Sequence, residues 1–179
     1  LNLKILKFRS GSKVFDWKVP YEWHIDDAYI LDDKNKKFAN FKKNNLHVVN
    51  FSKPINKVFS KKEILKKIFV DKSNKTAIPY ISSYYKKSWG FCMSVNQAKQ
   101  LRGNKFRAVI KSKFIKGYLK IGELLIRGQK KKEVFFSTYL CHPSMANNEL
   151  SGPVVQTALI NWVKKNYSNT NYSYRFVFF

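Results

Sequence analysis

The stretch that most constrains the fold lies in the last third of the chain, where a strand, a polar loop, a helix and a second strand follow one another. The apolar run in 133–140 predicts a buried strand, and 172–179 predicts another. Pro153 suits the first position of a helix, and after it apolar residues recur every three or four positions, which predicts one buried face. The residues of that face are Val154, Val155, Ala158, Leu159, Trp162 and Val163. Strand, helix and strand together predict a right-handed βαβ unit with parallel strands.

The loop that joins the first strand to this helix, 139–153, concentrates polar side chains at the carboxyl end of a strand. Ligand sites of open α/β sheets occur at that position. His142 is one of three histidines in the chain, and neutral imidazole is the commonest protein ligand to zinc. His142 is therefore a candidate metal ligand, and the alternative is a histidine packed structurally at the strand end. Ser144 and Asn147 are candidate residues of a substrate pocket in the same loop.

Other residues near His142 allow both a chemical and a structural interpretation. Glu149 is either a carboxylate ligand or a charge stabilised by the helix dipole. Cys141 is either a second soft ligand or a small buried hydrophobic residue. A catalytic pair of Cys141 and His142 is not expected, because adjacent residues of an extended chain point to opposite faces. His24 and His47 have no acidic or cysteine partner at ligand spacing, so we expect them to be structural or to line a pocket.

Residues 25–115 have a different pattern, in which short extended pieces dominate. Segment 27–41 predicts a hairpin around a polar turn, and 46–51 predicts a further strand. Ser60 and Glu63 have the spacing of a capping box, which predicts the start of a short helix. This part of the chain is expected to be rich in β-structure and to lie between two pieces of an α/β core.

The most aromatic part of the chain, 78–93, carries Tyr84, Tyr85 and Trp89 beside a pair of lysines. Aromatic side chains next to positive charge are typical of a platform on which bases or sugars stack. The alternative is that these rings form the inner surface of a sheet. We list the three as candidate residues of a substrate pocket.

The formal net charge of +24, from 35 basic and 11 acidic residues, also has two interpretations. Positive charge attracts nucleic acid or an anionic surface. The lysines are nevertheless spread along the whole chain in short doublets, which favours a generally lysine-rich solvated surface. A nucleic-acid partner is therefore the less favoured interpretation.

Cysteine count and hydropathy bear on location. Two cysteines do not make a disulfide framework, so a cytoplasmic chain with free thiols is expected. No run approaches the ~20 apolar residues that span a bilayer, and no secretory signal is seen. The first residue is not Met and the last residues stop within an apolar run, so we expect a fragment. No zinc-finger, P-loop or dinucleotide motif is present in the sequence.

Four segments carry a family resemblance: GSKVFDWKVPYEWHIDDAYI, NNLHVV, AIPYISSYYKKSWGFC and STYLCHPSMANNELSGP. In this order and over nearly all of the chain, they resemble the DUF4910/DUF2172 aminopeptidase-like proteins. These are bacterial relatives of the M28 zinc aminopeptidase fold, often encoded near surface-polysaccharide genes. The resemblance implies an α/β fold with part of an M28-like, phosphorylase/hydrolase-type mixed sheet, interrupted by a small β-rich inserted domain. The expected division is 1–24 for the start of the core, 25–115 for the inserted domain and 116–179 for the βαβ part.

The resemblance also implies a metal site, which we expect to involve His142, Asn148 and Glu149 with one or two zinc ions. His142 matches the first zinc-ligand histidine of the M28-like core. The metal-bridging Asp of the family's Asp-Asn-x-Ser-Gly loop falls on Asn148, whose neutral carboxamide is a weaker ligand than a carboxylate. Glu149 would supply the carboxylate if the loop shifts by one residue. The Glu base and the remaining ligands are expected beyond Phe179, so no catalytic residue is expected within the chain.

Three functions follow for testing. The first is a fragment of a zinc-dependent aminopeptidase-like hydrolase, linked to surface-polysaccharide biosynthesis, that acts on a peptide or a small amino-acyl substrate. The second is a non-catalytic binding or scaffold protein of the same fold, in which Asn148 marks the loss of the metal. The third is a basic nucleic-acid-binding module. No membrane partner is expected, and homo-oligomerisation is left open.

Overall fold

A computed structural model describes residues 1–142, 145–167 and 169–179 of the chain. The chain divides into two compact units. The sheet–helix unit comprises Leu1–Glu22 and Lys116–Phe179, and the β-rich unit comprises Trp23–Ile115. Among the described residues, no helix has both the length and the apolar character needed to cross a membrane.

The secondary structure of the described residues is dominated by strands. In chain order the elements are β1 (Lys4–Arg9), β2 (Lys13–Val14), β3 (Trp17–Lys18), β4 (Glu22–Asp32), β5 (Lys37–Phe38), a 3-10 helix (Asn45–His47), β6 (Ile55–Ser60), α1 (Lys61–Leu65), β7 (Ile68–Phe69), β8 (Phe91–Cys92), α2 (Val95–Ala98), β9 (Lys105–Ile115), β10 (Tyr118–Ile126), β11 (Lys130–Thr138), α3 (Ala146–Asn166) and β12 (Tyr172–Phe178).

The sheet–helix unit contains a four-stranded mixed sheet with the order β1-β10-β12-β11. β1 and β12 each pair antiparallel with β10, and β11 pairs parallel with β12. α3 joins the two parallel strands, so the predicted strand, helix and parallel strand are confirmed. The first strand is not buried as predicted, because β11 lies at the edge of the described sheet and all its residues are exposed or half-buried. Two parallel neighbours need such a crossover, because a tight turn can only reverse the chain. The carboxyl ends of β11 and β12 consequently lie side by side.

One face of this sheet forms the hydrophobic core of the unit with α3. Phe176 and Ile160 are fully buried, and Leu124 and Phe178 are nearly so. Phe136 stacks on Phe176 with ring centroids 5.0 Å apart. Burial of each such side chain contributes about 1.5–3 kcal/mol, so this layer holds the helix on the sheet.

The start of α3 differs from the sequence-based prediction. The helix begins at Ala146 and not at Pro153, which lies inside it. Pro153 cannot donate a hydrogen bond to the carbonyl of Glu149, one turn earlier, so the proline interrupts the helical ladder. The polar turn that precedes Pro153 has no apolar periodicity, and its helical conformation comes from its contacts with the end of β11.

The buried face of α3 was predicted correctly only in part, because Val163 is buried and Leu159 packs against the core, whereas the other four predicted residues are exposed. Glu149, Gln156, Ile160 and Val163 are buried, and Gln156 donates from Nε2 to the carbonyl of Val177 over 2.9 Å. Most of the predicted apolar face points away from the sheet. Three of its side chains remain more than half exposed, namely Val154 (63%), Val155 (66%) and Trp162 (52%). The periodicity of apolar residues predicted the helix. It did not predict which side of the helix is buried, because both sides carry apolar residues.

Gly152 permits the close approach of α3 to β11. A Cβ atom built on Gly152 would lie 2.1 Å from Oγ1 of Thr138, the last residue of β11. Any side chain there would have to displace the threonine or the helix. The glycine thus sets the distance between the helix and the strand beside His142.

We predict that Gly152→Ala destabilises the chain, because overpacking of this kind costs about 1–3 kcal/mol and outweighs the ~1 kcal/mol helix preference of Ala over Gly. In a Thr138→Ala background the clash with Oγ1 is absent, and Gly152→Ala should destabilise less. Urea unfolding of the four variants measures both effects. A stabilising Gly152→Ala in the wild-type chain would contradict the prediction.

Arg175 of β12 ties three strands together on the face of the sheet opposite to the core. Its Nε and Nη2 donate to the two carboxylate oxygens of Glu133 on β11 over 2.6 and 2.7 Å. Its Nη1 donates to Glu123 on β10 over 2.5 Å. The hydrogen bond from Arg175 is the main cause of the lowered pKa of Glu133, and the two carboxylates raise the pKa of Arg175. This geometry fixes the register of the parallel pair.

The lowered pKa of Glu133 predicts a pH-dependent contribution to stability. Ionised Glu133 stabilises the fold above its ordinary pKa of 4.5, and this stabilisation is lost as the pH falls through the lowered value. Glu133→Gln should therefore lower the urea midpoint at pH 7 and have a smaller effect at pH 3. An Arg175→Leu background should abolish the pH dependence of that difference. The same effect of Glu133→Gln at both pH values would refute the prediction.

The β-rich unit is built on a second four-stranded sheet with the order β5-β4-β9-β6. The predicted hairpin is confirmed by the antiparallel pairing of β4 with β5. The predicted capping box is also confirmed, because Ser60 and Glu63 exchange side-chain and backbone hydrogen bonds at the start of α1. Ile30, Ile64 and Phe106 belong to its buried core.

The strand predicted at 46–51 is not formed. Asn45–His47 is a 3-10 helix, capped by the Asn44 side chain, which accepts a hydrogen bond from the Leu46 amide. Val48 makes only an isolated bridge, and Phe51 has a positive φ of 61°. The apolar residues of this segment are buried although the backbone forms a turn. Asparagine favours turns, because its side chain hydrogen-bonds to nearby backbone groups.

Candidate metal site

The polar loop after β11 lies where two parallel strands end together. Phe179 follows β12, and its amide donates to the carbonyl of Thr138, the last residue of β11. The Leu140 amide donates in turn to the carbonyl of Phe179. His142 therefore follows directly from the carboxyl edge of the sheet, as the sequence predicts.

Three side chains converge at this edge: Cys141, His142 and Glu149. One ligand atom from each lies within 4.8 Å of the others. His142 Nδ1 is 2.6 Å from Glu149 Oε1, and the Cys141 sulfur lies 3.3 Å from the same nitrogen. The first turn of α3 carries Glu149, so the early start of the helix brings its carboxylate to the histidine.

Glu149 acts as an anchor for the loop. Its Oε2 accepts a hydrogen bond from the Cys141 amide over 2.6 Å, while its Oε1 faces the ring of His142. Burial alone would raise the pKa of Glu149, but hydrogen bonds from the backbone and ring of His142 and from the Cys141 amide outweigh burial and lower it. An ionised carboxylate that accepts several N–H groups holds both the loop and the ring in place.

Cys141 lies against the ring of His142, which differs from the prediction that the two side chains diverge. That prediction assumed an extended chain, but β11 ends at Thr138 and the chain bends at His142. Burial, followed by the negative charge of Glu149, raises the pKa of the Cys141 thiol. A thiol with a raised pKa is a poor nucleophile at neutral pH, so contact with His142 does not make a catalytic pair.

The other predicted residues of the loop are exposed or lie outside the described residues. Asn148 is exposed, and its Oδ1 accepts a hydrogen bond from the Tyr139 hydroxyl over 3.3 Å. Asn147 is exposed on the first turn of α3. Ser144 lies outside the described residues.

Tyr139 is a residue of the site that the sequence-based reasoning missed. It donates to Asn148, and its ring meets the ring of His142 edge to face with centroids 6.1 Å apart. The signal that could have identified it is an amphipathic aromatic residue directly after the strand. Such a side chain combines an apolar body with a hydrogen-bonding hydroxyl.

The remaining predicted pocket residues and histidines belong to the β-rich unit. Trp89 packs near Phe91 and Phe59, whereas Tyr84 and Tyr85 form a separate aromatic contact. His47 is buried, and its Nδ1 is 2.8 Å from the carbonyl of Cys92. This contact agrees with the structural role expected of His47. His24 is exposed on β4.

The donor set at the carboxyl edge fits zinc in its chemistry. Thiolate, imidazole and carboxylate are the three side-chain ligands that zinc prefers. Both oxygens of Glu149 already accept hydrogen bonds from the chain, however, and one of them faces Nδ1 of His142. A carboxylate that holds one nitrogen of a ligating histidine and directs the other towards the metal is common around zinc. The arrangement therefore suits a metal held by His142 and oriented by Glu149.

The fold of this chain is similar to those of two solved structures that carry peptidase names. A Clostridium acetobutylicum protein provisionally named as a peptidase matches 99% of this chain with a TM-score of 0.91 and 42% identity, over 42% of its own length. BSAP, a zinc aminopeptidase from Bacillus subtilis, matches all of the chain with a TM-score of 0.61 and 10% identity, over 51% of its length. At that identity the second likeness concerns the fold alone.

The family model for the domain of unknown function DUF2172 matches residues 22–113, and the chain belongs to this family of aminopeptidase-like proteins. A Clostridium acetobutylicum relative is 44% identical over 178 residues. Its provisional name is a polysaccharide biosynthesis protein with an aminopeptidase-like domain. The match covers 98% of this chain and 40% of the relative, so the chain spans well under half of the protein that it resembles.

The environment of Cys141 predicts its reactivity. Glu149→Gln removes the negative charge beside the thiol, so the pKa of Cys141 should fall and its reaction with a chromogenic aromatic disulfide at pH 8 should accelerate. Cys92 is fully buried, and burial raises its pKa to about 12, so it should not react in the folded chain. Cys141→Ser is the matched control and should abolish the signal. An unchanged or slower reaction of Glu149→Gln would contradict the prediction.

Proposed function

We propose that this chain is part of a zinc-dependent aminopeptidase-like hydrolase and contributes one wall of its metal site. The observation that carries the proposal is the pairing of His142 with Glu149 at the shared carboxyl edge of β11 and β12. Ligands of α/β sheets bind at this edge. The peptidase fold and the zinc aminopeptidase among its structural neighbours support the same conclusion.

The roles of the residues follow from their contacts. His142 would bind the metal through Nε2, because Nδ1 is held by Glu149. Glu149 would fix the ring orientation and the tautomer, and Cys141 is the nearest further donor. Bound zinc would polarise the carbonyl of the scissile amide and lower the pKa of a water molecule. The substrate proposed is a peptide or a small amino-acyl compound.

The asparagine at position 148 favours a single metal ion, bound mainly by residues other than Asn148. Its carboxamide has no charge, and its oxygen accepts a hydrogen bond from Tyr139. Hard and borderline cations bind carboxylates more tightly than neutral amides. The ligands and the general base that complete the centre would come from other parts of the whole protein.

The same observation favours a second candidate function. A chain with asparagine at the bridging position and both Glu149 oxygens engaged could keep the fold and lose the metal. Such a protein would bind or position a partner in polysaccharide biosynthesis, the process for which the relative is named. We also propose that residues 25–115 form a domain inserted into the peptidase-like core, which the two compact units support.

The two functions predict different metal contents for the whole protein. If the hydrolase proposal is right, the purified protein contains zinc by elemental analysis, and His142→Ala loses most of it while its circular dichroism is unchanged. Asn148→Asp should raise the affinity for zinc, because it restores a carboxylate next to the site. Asn147→Asp, an exposed neighbour on the same turn, is the matched control. A folded protein without zinc at saturating metal concentration would support the non-catalytic alternative.

A further inference from the structure

An array of four aromatic rings runs from Trp23, a half-buried residue packed against the core of the β-rich unit, to the surface. Trp23 stacks on Phe51 with centroids 5.6 Å apart, and Phe51 meets Tyr84 edge to face at 4.9 Å. Tyr84 meets Tyr85 in the same manner at 4.8 Å. Tyr85, the outermost ring, is 90% exposed. An exposed aromatic ring that is supported by three others does not contribute to the core and is available to a ligand.

The segment that carries Tyr84 and Tyr85 is tied down through Asn50. The Asn50 amide donates to the carbonyl of Ile81, and the Asn50 carbonyl accepts hydrogen bonds from the amide and hydroxyl of Ser83. The Asn50 side chain donates to the Tyr80 hydroxyl over 2.9 Å. The tyrosine pair therefore has a defined position before any ligand arrives, and a fixed aromatic surface costs little entropy to bind.

Phe51, the second ring of the array, has an unusual backbone. Its φ of 61° lies in the left-handed region, which a bulky side chain rarely adopts. Asn50 and Ser52 on either side are buried, and Ser52 accepts a hydrogen bond from the Trp23 indole nitrogen at its carbonyl. Strained residues of this kind are held by surrounding contacts and occur preferentially at functional positions.

Three of the four rings, including the exposed one, lie in parts of the chain without negative charge, whereas Trp23 follows Glu22. Segments 34–62 and 72–122, which supply Phe51, Tyr84 and Tyr85, contain no Asp or Glu. Lys86 and Lys87 follow Tyr85 directly and are exposed. A ligand that stacks on Tyr85 is therefore close in sequence to two cations, and an anionic ligand is favoured over a neutral one.

From these observations we infer that the array is a binding site for an acidic saccharide, with Tyr85 stacking on one sugar ring and lysines pairing with its carboxylates. The apolar C–H face of a pyranose ring packs on a single aromatic face. Single-stranded nucleic acid instead needs successive ring faces for successive bases. Neighbouring rings of the array meet at 89° and 76°, so Tyr85 offers one face and not a continuous platform.

Binding of the whole chain to uronic-acid oligosaccharides tests the inference. The probes are labelled oligogalacturonate, hyaluronate and alginate fragments, with dextran as the neutral comparison and oligo(dT) as the nucleic-acid comparison. We expect at least one acidic probe to bind more tightly than dextran. Tyr85→Ala should weaken that binding by about fivefold or more, by analogy with the loss of one aromatic stacking partner. Tyr85→Phe should retain it, because the ring is kept.

Two controls separate the site from the general positive charge. Phe15→Ala removes a ring that is 92% exposed in the other unit and should leave binding unchanged. Combined Lys86→Gln and Lys87→Gln should reduce the salt dependence of binding, because the two lysines no longer displace counterions from the acidic saccharide. Failure of all three acidic probes to bind more tightly than dextran overturns the inference, as does an equal loss in Tyr85→Ala and Phe15→Ala. Tighter, Tyr85-dependent binding of oligo(dT) overturns it in favour of nucleic acid.

Discussion

The geometry at the carboxyl ends of β11 and β12 depends on the hydrogen bonds of the Glu149 carboxylate. This carboxylate joins the first turn of α3 to the residues that leave β11, because it accepts hydrogen bonds from the Cys141 amide and faces Nδ1 of His142. Burying this carboxylate without hydrogen-bond donors would cost free energy. The N–H groups of Cys141 and His142 are therefore needed to keep Glu149 ionised and in place. The conformation of the loop, the start of α3 and the orientation of His142 therefore depend on one another.

A close packing contact and a hydrogen bond hold the start of α3 on the sheet. Gly152 lets the helix approach Thr138, and Gln156 hydrogen-bonds the end of β12. The side of α3 that faces the sheet near the site is therefore polar, and the apolar core begins only at Ile160. A helix that must present polar groups at a strand end cannot also present an uninterrupted apolar face there.

Sequence patterns predicted the architecture better than the local conformation. Apolar runs identified β11 and β12, and apolar residues at every third or fourth position identified α3. The parallel arrangement of the two strands followed from the crossover rule. His142 and Glu149 were identified by residue type and position at a strand end. The helix start was missed because Pro153 is a strong local signal, whereas the preceding turn is helical through tertiary contacts. The contact of Cys141 with His142 depends on a bend, which alternation along an extended strand cannot predict.

The discontinuous sheet–helix unit has a consequence for how the chain reaches its native state. Arg9 of β1 pairs with Tyr118 of β10, and the whole β-rich unit lies between them in sequence. Closing so long a loop costs entropy before the strands can gain from pairing, so contacts of this range form slowly. The β-rich unit is continuous in sequence, so its own strands can pair without closing that loop. We therefore expect the β-rich unit to fold before the sheet that carries His142 is assembled.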